Sequence, residues 1–370
     1  MGVALSQAAC RERGLSLIEL MVAVLLGSLL MVGMIQIFVA TKVSYMTQTG
    51  QAYLHESGRF ALEYAARDVR MAGLMGCTSR NNVPVTSYLD SVSFEFDFSQ
   101  GVRGYEYAGT APGETFPLPG DFPAVDANAG SWSPALPAGI VGNVVSGSDV
   151  LVVRSIGDAP IPLVAPFTSG NQVFAETVSG LEIGDILLVT DCQQAQIFQA
   201  TNISDSSNNI VGGVAGQFTP GNSSNINARG PVTNFGPGTE IARISTIVYY
   251  VGLGANGVPA LFRMATARTG PVVGLQAEEL VGGVESMQLL FGVDTTNNFS
   301  TDAYVPASGV TDWNRVVAVR MALLLRTPDE YGTQVDADTY SLGGTVVNPP
   351  NDRHQRRVFT KTIALRNRML

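Results

Sequence analysis

The chain opens on a long apolar run. From Leu20 to Ala40 no residue is charged, and only Ser28 and Gln36 are clearly polar. At about 1.5 Å of rise per residue the run spans about 31 Å, the thickness of a bilayer's hydrocarbon core. A buried helix of a soluble domain seldom stays apolar on every side for so long, so the run predicts a membrane-spanning helix. The pattern then changes. Leu54, Gly58, Ala61, Ala65, Val69 and Ala72 recur every three or four residues, with Phe60, Leu62 and Tyr64 widening the apolar face. Glu56, Arg59, Glu63, Arg67, Asp68 and Arg70 supply the polar side. This spacing predicts an amphipathic helix, with Glu63 and Arg67 as a favourable i,i+4 pair and Gly73 as its stop. Leu15 to Ala72, read as one helix, is about 87 Å long.

After Ala72 helical periodicity fades. Val92 to Phe98 alternates apolar and polar residues and reads as a half-buried strand. Further strands are predicted at Asp149–Arg154, Ile186–Thr190, Ala195–Ala200, Arg243–Val251, Ala260–Met264, Val284–Val293, Arg315–Arg326 and Arg357–Arg366. Gly254-Ala255-Asn256-Gly257 is a turn between two of them. Three polar or proline-rich stretches, Gly104–Ser148, Asn202–Gly238 and Thr327–Asp352, interrupt the series. They read as surface insertions, because strands of similar character resume after each. The fold class is α+β: a long N-terminal helix on a mostly antiparallel β head with long loop insertions.

Composition narrows the chemistry. Charged residues are only 14% of the chain and the net charge is −9, a poor field for a general nucleic-acid binder. Two His and three Cys are little material for a metal site. His55 falls on the helix and His354 in a basic loop, and no nucleophile–base grouping surrounds either. No catalytic residue, metal or cofactor is expected. Asp294–Asp302 is rich in Asp and Asn but lacks the spacing and glycine of an EF-hand. The last segment is basic: Arg353, Arg356, Arg357, Lys361, Arg366 and Arg368 occur without an acid. Contact with DNA is the sharper reading, and pairing with acidic segments of this head or of a neighbouring subunit the plainer one.

The flanks of the apolar run define its type. Arg11, Glu12, Arg13 and Gly14 precede it, Glu19 interrupts its start, and no small-residue cleavage pattern follows it. A lone carboxylate in hydrocarbon marks a functional candidate. Arg13-Gly14-Leu15-Ser16-Leu17-Ile18-Glu19-Leu20 resembles the class III signal of type IV prepilins and type II secretion pseudopilins. Arg67 to Gly73 followed by Gly76-Cys77 resembles the first-helix end of PilW-type minor pilins. Leu187 to Cys192 with Ile197-Phe198, and Arg357-Val358-Phe359 with Ile363 to Asn367, resemble their second-cysteine and C-terminal strands.

That resemblance implies a division into residues 1–14, a leader removed by prepilin peptidase, residues 15–72, the helix with its transmembrane segment at about 20–40, and residues 73–370, the head. It implies cleavage between Gly14 and Leu15, N-methylation of Leu15, and an assembly role for the charge of Glu19. With Cys10 lost in the leader, Cys77 and Cys192 remain outside the cytoplasm, where they are expected to form one disulfide. The implied location is the bacterial inner membrane, single pass, with the N-terminus cytoplasmic and the head periplasmic, and then the pilus tip. The implied partners are prepilin peptidase, other minor pilins, the major pilin and a PilY-type tip adhesin. The implied role is structural, in the complex that primes type IV pilus assembly and twitching or adhesion. Two alternatives are a J-type minor pseudopilin of type II secretion, against which the long insertions argue, and a DNA-binding minor pilin for uptake.

Overall fold

The computed structural model describes residues 14, 16–76, 78–79, 84–90, 93–120, 124–157, 159–214, 218–226, 235–254, 257–332 and 334–366. These divide into two compact units, Met1–Gly50 and Gln51–Leu370. A single helix, α1, runs Leu17–Arg70, so its second half belongs to the unit that also holds every strand. In the first unit the apolar run is unburied: Leu25 is 60% and Phe38 71% exposed. In the second unit the predicted stripe is covered. Leu54, Ala61, Ala65, Val69 and Ala72 are buried, Leu62 with them, while Phe60 and Tyr64 lie outside the buried face. Gly73 ends the helical segment at φ +75, where a left-handed conformation suits glycine, and its amide donates to the Arg154 carbonyl at 2.8 Å.

Among the described residues, ten of the strands frame the head: β1 (Val102–Tyr107), β2 (Val150–Ile156), β3 (Ile186–Thr190), β4 (Ala195–Gln199), β5 (Glu240–Leu253), β6 (Pro259–Thr269), β7 (Val272–Gly282), β8 (Val284–Val293), β9 (Val316–Arg326) and β10 (Arg356–Ala364). β5 is the hub of the larger sheet. Its start pairs with β3 and its middle with β2. Its end pairs with β6, which continues to β7. β1 extends the sheet beyond β2, and β4 beyond β3. A second sheet runs β8–β9–β10, with Ala303–Val305 on the outer side of β8. All these pairings are antiparallel. Residues of both sheets meet the buried stripe of α1 in one core: Leu151 and Val153 of β2, Tyr249 and Val251 of β5, Met287 and Leu289 of β8, Met321 and Leu323 of β9, and Ile363 of β10.

Two expectations need correction. Of the strand expected at Val92–Phe98, the described residues Ser93–Phe98 are not extended into a strand. Phe94–Phe96 forms a 3₁₀ turn, because side chains take its carbonyls: Arg154 Nη2 donates to Phe94 O at 3.1 Å and Thr246 Oγ1 to Glu95 O at 2.9 Å. Arg154 is itself buried, and desolvation lowers its pKa to about 10. The three insertions are largely exposed, but each also sends apolar residues into the core. Trp132, Ile140 and Val144 cover Val150 and Val152 of β2, beside Tyr105 of the neighbouring β1. Ile210, Ile226 and Phe235 cover Leu187 and Val189 of β3. Leu342 and Val347, joined by Leu118, cover Ala322 and Leu324 of β9. Each stretch therefore supplies the second face of a strand that is apolar on both sides.

A buried acid pair links the sheets. Asp149 accepts from the Tyr107 amide at 3.0 Å and the Leu289 amide at 2.8 Å. Burial pushes its carboxyl up to about 7. Glu106 is also buried, and desolvation, with the Asp149 charge second, pushes it up to about 9.

Candidate functional site

The N-terminal end of α1 is closed by its own side chains. The Glu19 amide donates to Ser16 Oγ at 3.2 Å, and the Ser16 amide donates to Glu19 Oε2 at 3.3 Å. This is a capping box, in which two amides left without helical partners are each satisfied by the other residue's side chain. Ser16-x-x-Glu19 was its signal in the sequence. Glu19 thus holds the helix end as well as the position the prepilin resemblance assigns to it. Gly14, the residue before the expected cut, is exposed with nothing packed on it, and Leu15 lies outside the described residues.

The seam between the second half of α1 and the head is held in three ways. The first is steric. Gly58 is buried, and a Cβ there would stand 2.5 Å from Phe359 Cδ2 and 2.6 Å from its Cγ. Only hydrogen at this position lets β10 lie so close to the helix. The second is polar. Asp68 Oδ2 accepts from Tyr249 Oη at 2.6 Å and from Arg263 Nε at 3.0 Å, and Arg263 Nη1 reaches Glu278 at 3.1 Å. Burial, then the Asp68 charge, raises the Tyr249 pKa; for Arg263 burial works downwards but Asp68 outweighs it and the pKa rises. Tyr53 Oη adds a bond to the Gly282 carbonyl at 3.0 Å. The third is an exposed charge line. Glu63 pairs with Lys361 of β10, not with Arg67, and that hydrogen bond lowers the Glu63 pKa. Arg357 Nη1 lies 2.7 Å from His55 Nε2, and the His55 ring stands edge-on to Phe359.

Of the basic C-terminal segment, Arg356 is consumed inside the head, while Arg353 is exposed. Arg356, fully buried, makes a bidentate pair with Glu285 at 2.7 and 3.0 Å and another with Asp352 at 2.7 and 2.6 Å. Asp336 adds a third carboxylate at 3.1 Å. These bonds raise the Arg356 pKa against its burial, and hold Asp352 below its ordinary value although burial pushes it up. A network of this kind costs several kcal/mol to break from one side. His354 Nδ1 contacts the Thr327 carbonyl at 2.8 Å. Arg366 is exposed, and Arg368 lies outside the described residues.

Cys192 is disulfide-bonded and sits at φ +71, its amide donating to Thr190 Oγ1 at 3.3 Å. Cys77 and Cys10 lie outside the described residues. The Asp294–Asp302 loop uses its carboxylates on itself. Asp294 accepts from the Phe299 amide at 2.8 Å, and Asp302 accepts from the Thr295 amide at 2.7 Å. Among the described residues no group of three or more His, Cys, Asp and Glu side chains is placed to hold a metal. The sequence reading did not foresee the Gly58–Phe359 approach or the Asp68–Tyr249–Arg263 bridge. A glycine in the middle of a helical stripe was the signal for the first; the second joins residues about two hundred positions apart and left no local trace.

Comparison with curated proteins gives no match. Among solved structures, a type IV-like pilin from Thermus thermophilus aligns over 86% of this chain and 97% of its own, with 11% identity and a TM-score of 0.32. A likeness this loose says nothing of function. Family models match at both ends. The prokaryotic N-terminal methylation motif covers residues 10–35, the stretch that contains Gly14, Leu15 and Glu19. The type IV pilus-assembly protein W family covers residues 248–367, from the hub strand through β10. The chain thus matches the type IV pilus-assembly protein W family over its C-terminal third and the methylation motif at the start of α1.

Proposed function

We propose that this chain is a structural subunit of the minor-pilin complex that primes type IV pilus assembly and then occupies the pilus tip. In this reading prepilin peptidase cuts after Gly14 and Leu15 becomes the methylated N-terminus. The anchored precursor crosses the inner membrane once, head outward, with Arg11 and Arg13 on the cytoplasmic side. Its partners are other minor pilins, the major pilin and a PilY-type tip adhesin. The observation that carries the reading is the composition of α1. Its first half is apolar and uncovered, fit for lipid or for other such helices, and its second half is locked into a β head by Gly58 and Asp68. No reaction is assigned to the chain.

The Cys77–Cys192 disulfide belongs to the same proposal. Gly76, next to Cys77, packs so closely on Thr190 that a Cβ there would run into the Thr190 methyl, two residues from Cys192.

Glu19 has two separable roles in this reading, cap and charge. Glu19→Gln keeps an acceptor for the Ser16 amide and removes the charge; Glu19→Ala removes both. A capping loss amounts to about 1 kcal/mol, little for a helix anchored in a head. Both variants should therefore be cut after Gly14 and keep a folded head. Both should also fail to reach the pilus tip, because docking has lost the carboxylate that answers a neighbour's N-terminal amine. Cleavage by mass spectrometry and tip labelling are measured in the same cells. Normal tip labelling of Glu19→Gln would remove the charge from assembly.

A further inference from the structure

Where α1 ends, a cleft of about 400 Å³ opens in the head, bounded by the last turn of the helix, the end of β2, the middle of β5 and the residues after β10. Its charged lining is Arg67, Asp68, Arg70, Arg263 and Arg366. Asp68 is already committed to Arg263 and Tyr249. The side chains of Arg67, Arg70 and Arg366 make no hydrogen bond or ion pair among the described residues; Arg70 feels Glu63 only at a distance. Ser155 and Ser245 add hydroxyls to the same wall.

Three uncompensated guanidinium groups in one concavity are unusual on a chain of net charge −9. The helix dipole answers part of this, since its C-terminal end carries about half a negative charge and favours Arg67 and Arg70. It does not answer for Arg366, which folding brings in from the far end of the chain. Arg67 and Arg70, three apart, share a helix face and repel each other. An anion seated between them and Arg366 would relieve that repulsion, and guanidinium groups bind carboxylates in a bidentate fork.

We propose that this cleft receives the carboxylates of an acidic peptide segment of a partner protein. A duplex nucleic acid fits less well: it is broader than the cleft, and the negative field of the whole chain opposes it. That the segment belongs to a neighbouring pilin rests on the pilus reading above; the binding chemistry does not.

The test uses the purified full chain in detergent micelles and a fluorescent hexaglutamate peptide, read by anisotropy. The Arg67→Gln/Arg366→Gln variant should bind the peptide about tenfold more weakly, the combined effect of two ordinary surface charge pairs. Both side chains are exposed, so its unfolding temperature should be unchanged. Arg59→Gln, exposed on the same helix but outside the cleft, should bind within about twofold of the parent, and raised salt should weaken all binding. Equal affinity in the double variant, or an equal loss in Arg59→Gln, would overturn the proposal. So would a mixed-sequence DNA duplex that binds more tightly than the peptide and loses affinity in the same double variant. None of these outcomes bears on pilus assembly, and a chain that binds the peptide but never enters a pilus would overturn the pilus reading alone.

Discussion

Replacing Gly58 by alanine tests the helix–head seam by the sign of its effect. In an exposed helix Gly→Ala stabilises by about 1 kcal/mol, because glycine loses more backbone freedom on folding. Here the new methyl would stand 2.5 Å from Phe359 Cδ2 and 2.6 Å from Cγ, where carbon atoms normally keep 3.5 Å or more, roughly. The ring must retreat by about 1 Å, and because Cγ is involved a turn of the ring about its own axis does not clear it. Overpacking of this kind costs typically about 1–3 kcal/mol. The steric cost thus exceeds the propensity gain, with a net loss of about 1 kcal/mol and a fall in unfolding temperature of about 2–4 °C for a unit of this size. Trp132 and Trp313, the two tryptophans, are both buried in the head, so their fluorescence reports head unfolding directly. The cycle with Phe359→Ala isolates the contact. In that background Gly58→Ala should become stabilising. A higher unfolding temperature for Gly58→Ala alone would show that the helix and β10 are not in the contact described.

The head should lose stability as pH rises. Glu106 and Asp149 have pKa values raised to about 9 and about 7, so the folded head holds protons that the unfolded chain releases above about pH 4. Their stabilising contribution is complete below that range and is lost as pH climbs through 7 to 9. Unfolding temperatures should decline from pH 5 to pH 9, and Glu106→Gln should flatten the profile; a parent profile that rises to pH 9 would contradict the buried protonated pair. For the cysteines, peptide mapping without reductant should recover Cys77 and Cys192 in one linked pair after export, and a freely alkylated Cys77 would sink that pairing.

The helix was plainly legible in the sequence. An uncharged run and then a three-or-four-residue stripe fix its two halves, and the buried residues Leu54, Ala61, Ala65 and Val69 are those the stripe names. Most of the longer strands were legible too, because β-branched and apolar runs bounded by glycine leave little alternative. The share of the insertions in the core was not read from the sequence, although the signal for it was present. β2 begins Val-Leu-Val-Val and β9 contains Ala-Leu-Leu-Leu before its final Arg326, and a strand apolar on successive positions needs cover on both faces. The polar-looking stretches had to provide it, through scattered residues such as Trp132, Ile226 and Leu342. Val92–Phe98 failed for the opposite reason. Its alternation is genuine, but the carbonyls a strand would have offered a neighbour are taken by Arg154 and Thr246, residues no local pattern connects to it. In the same way Glu63 found Lys361 across the fold rather than Arg67 along the helix, because β10 lies on that face.

The most direct test of this chain as a processed pilin is the mass of its mature N-terminus. The protein is taken from its native membrane and sheared-pilus fractions, digested, and the N-terminal peptide sequenced by mass spectrometry. A peptide that begins at Leu15 and carries a methylated amine is the predicted result. An intact Met1 start in the pilus fraction, or a mature start near residue 45 that discards the apolar half of α1, would contradict it.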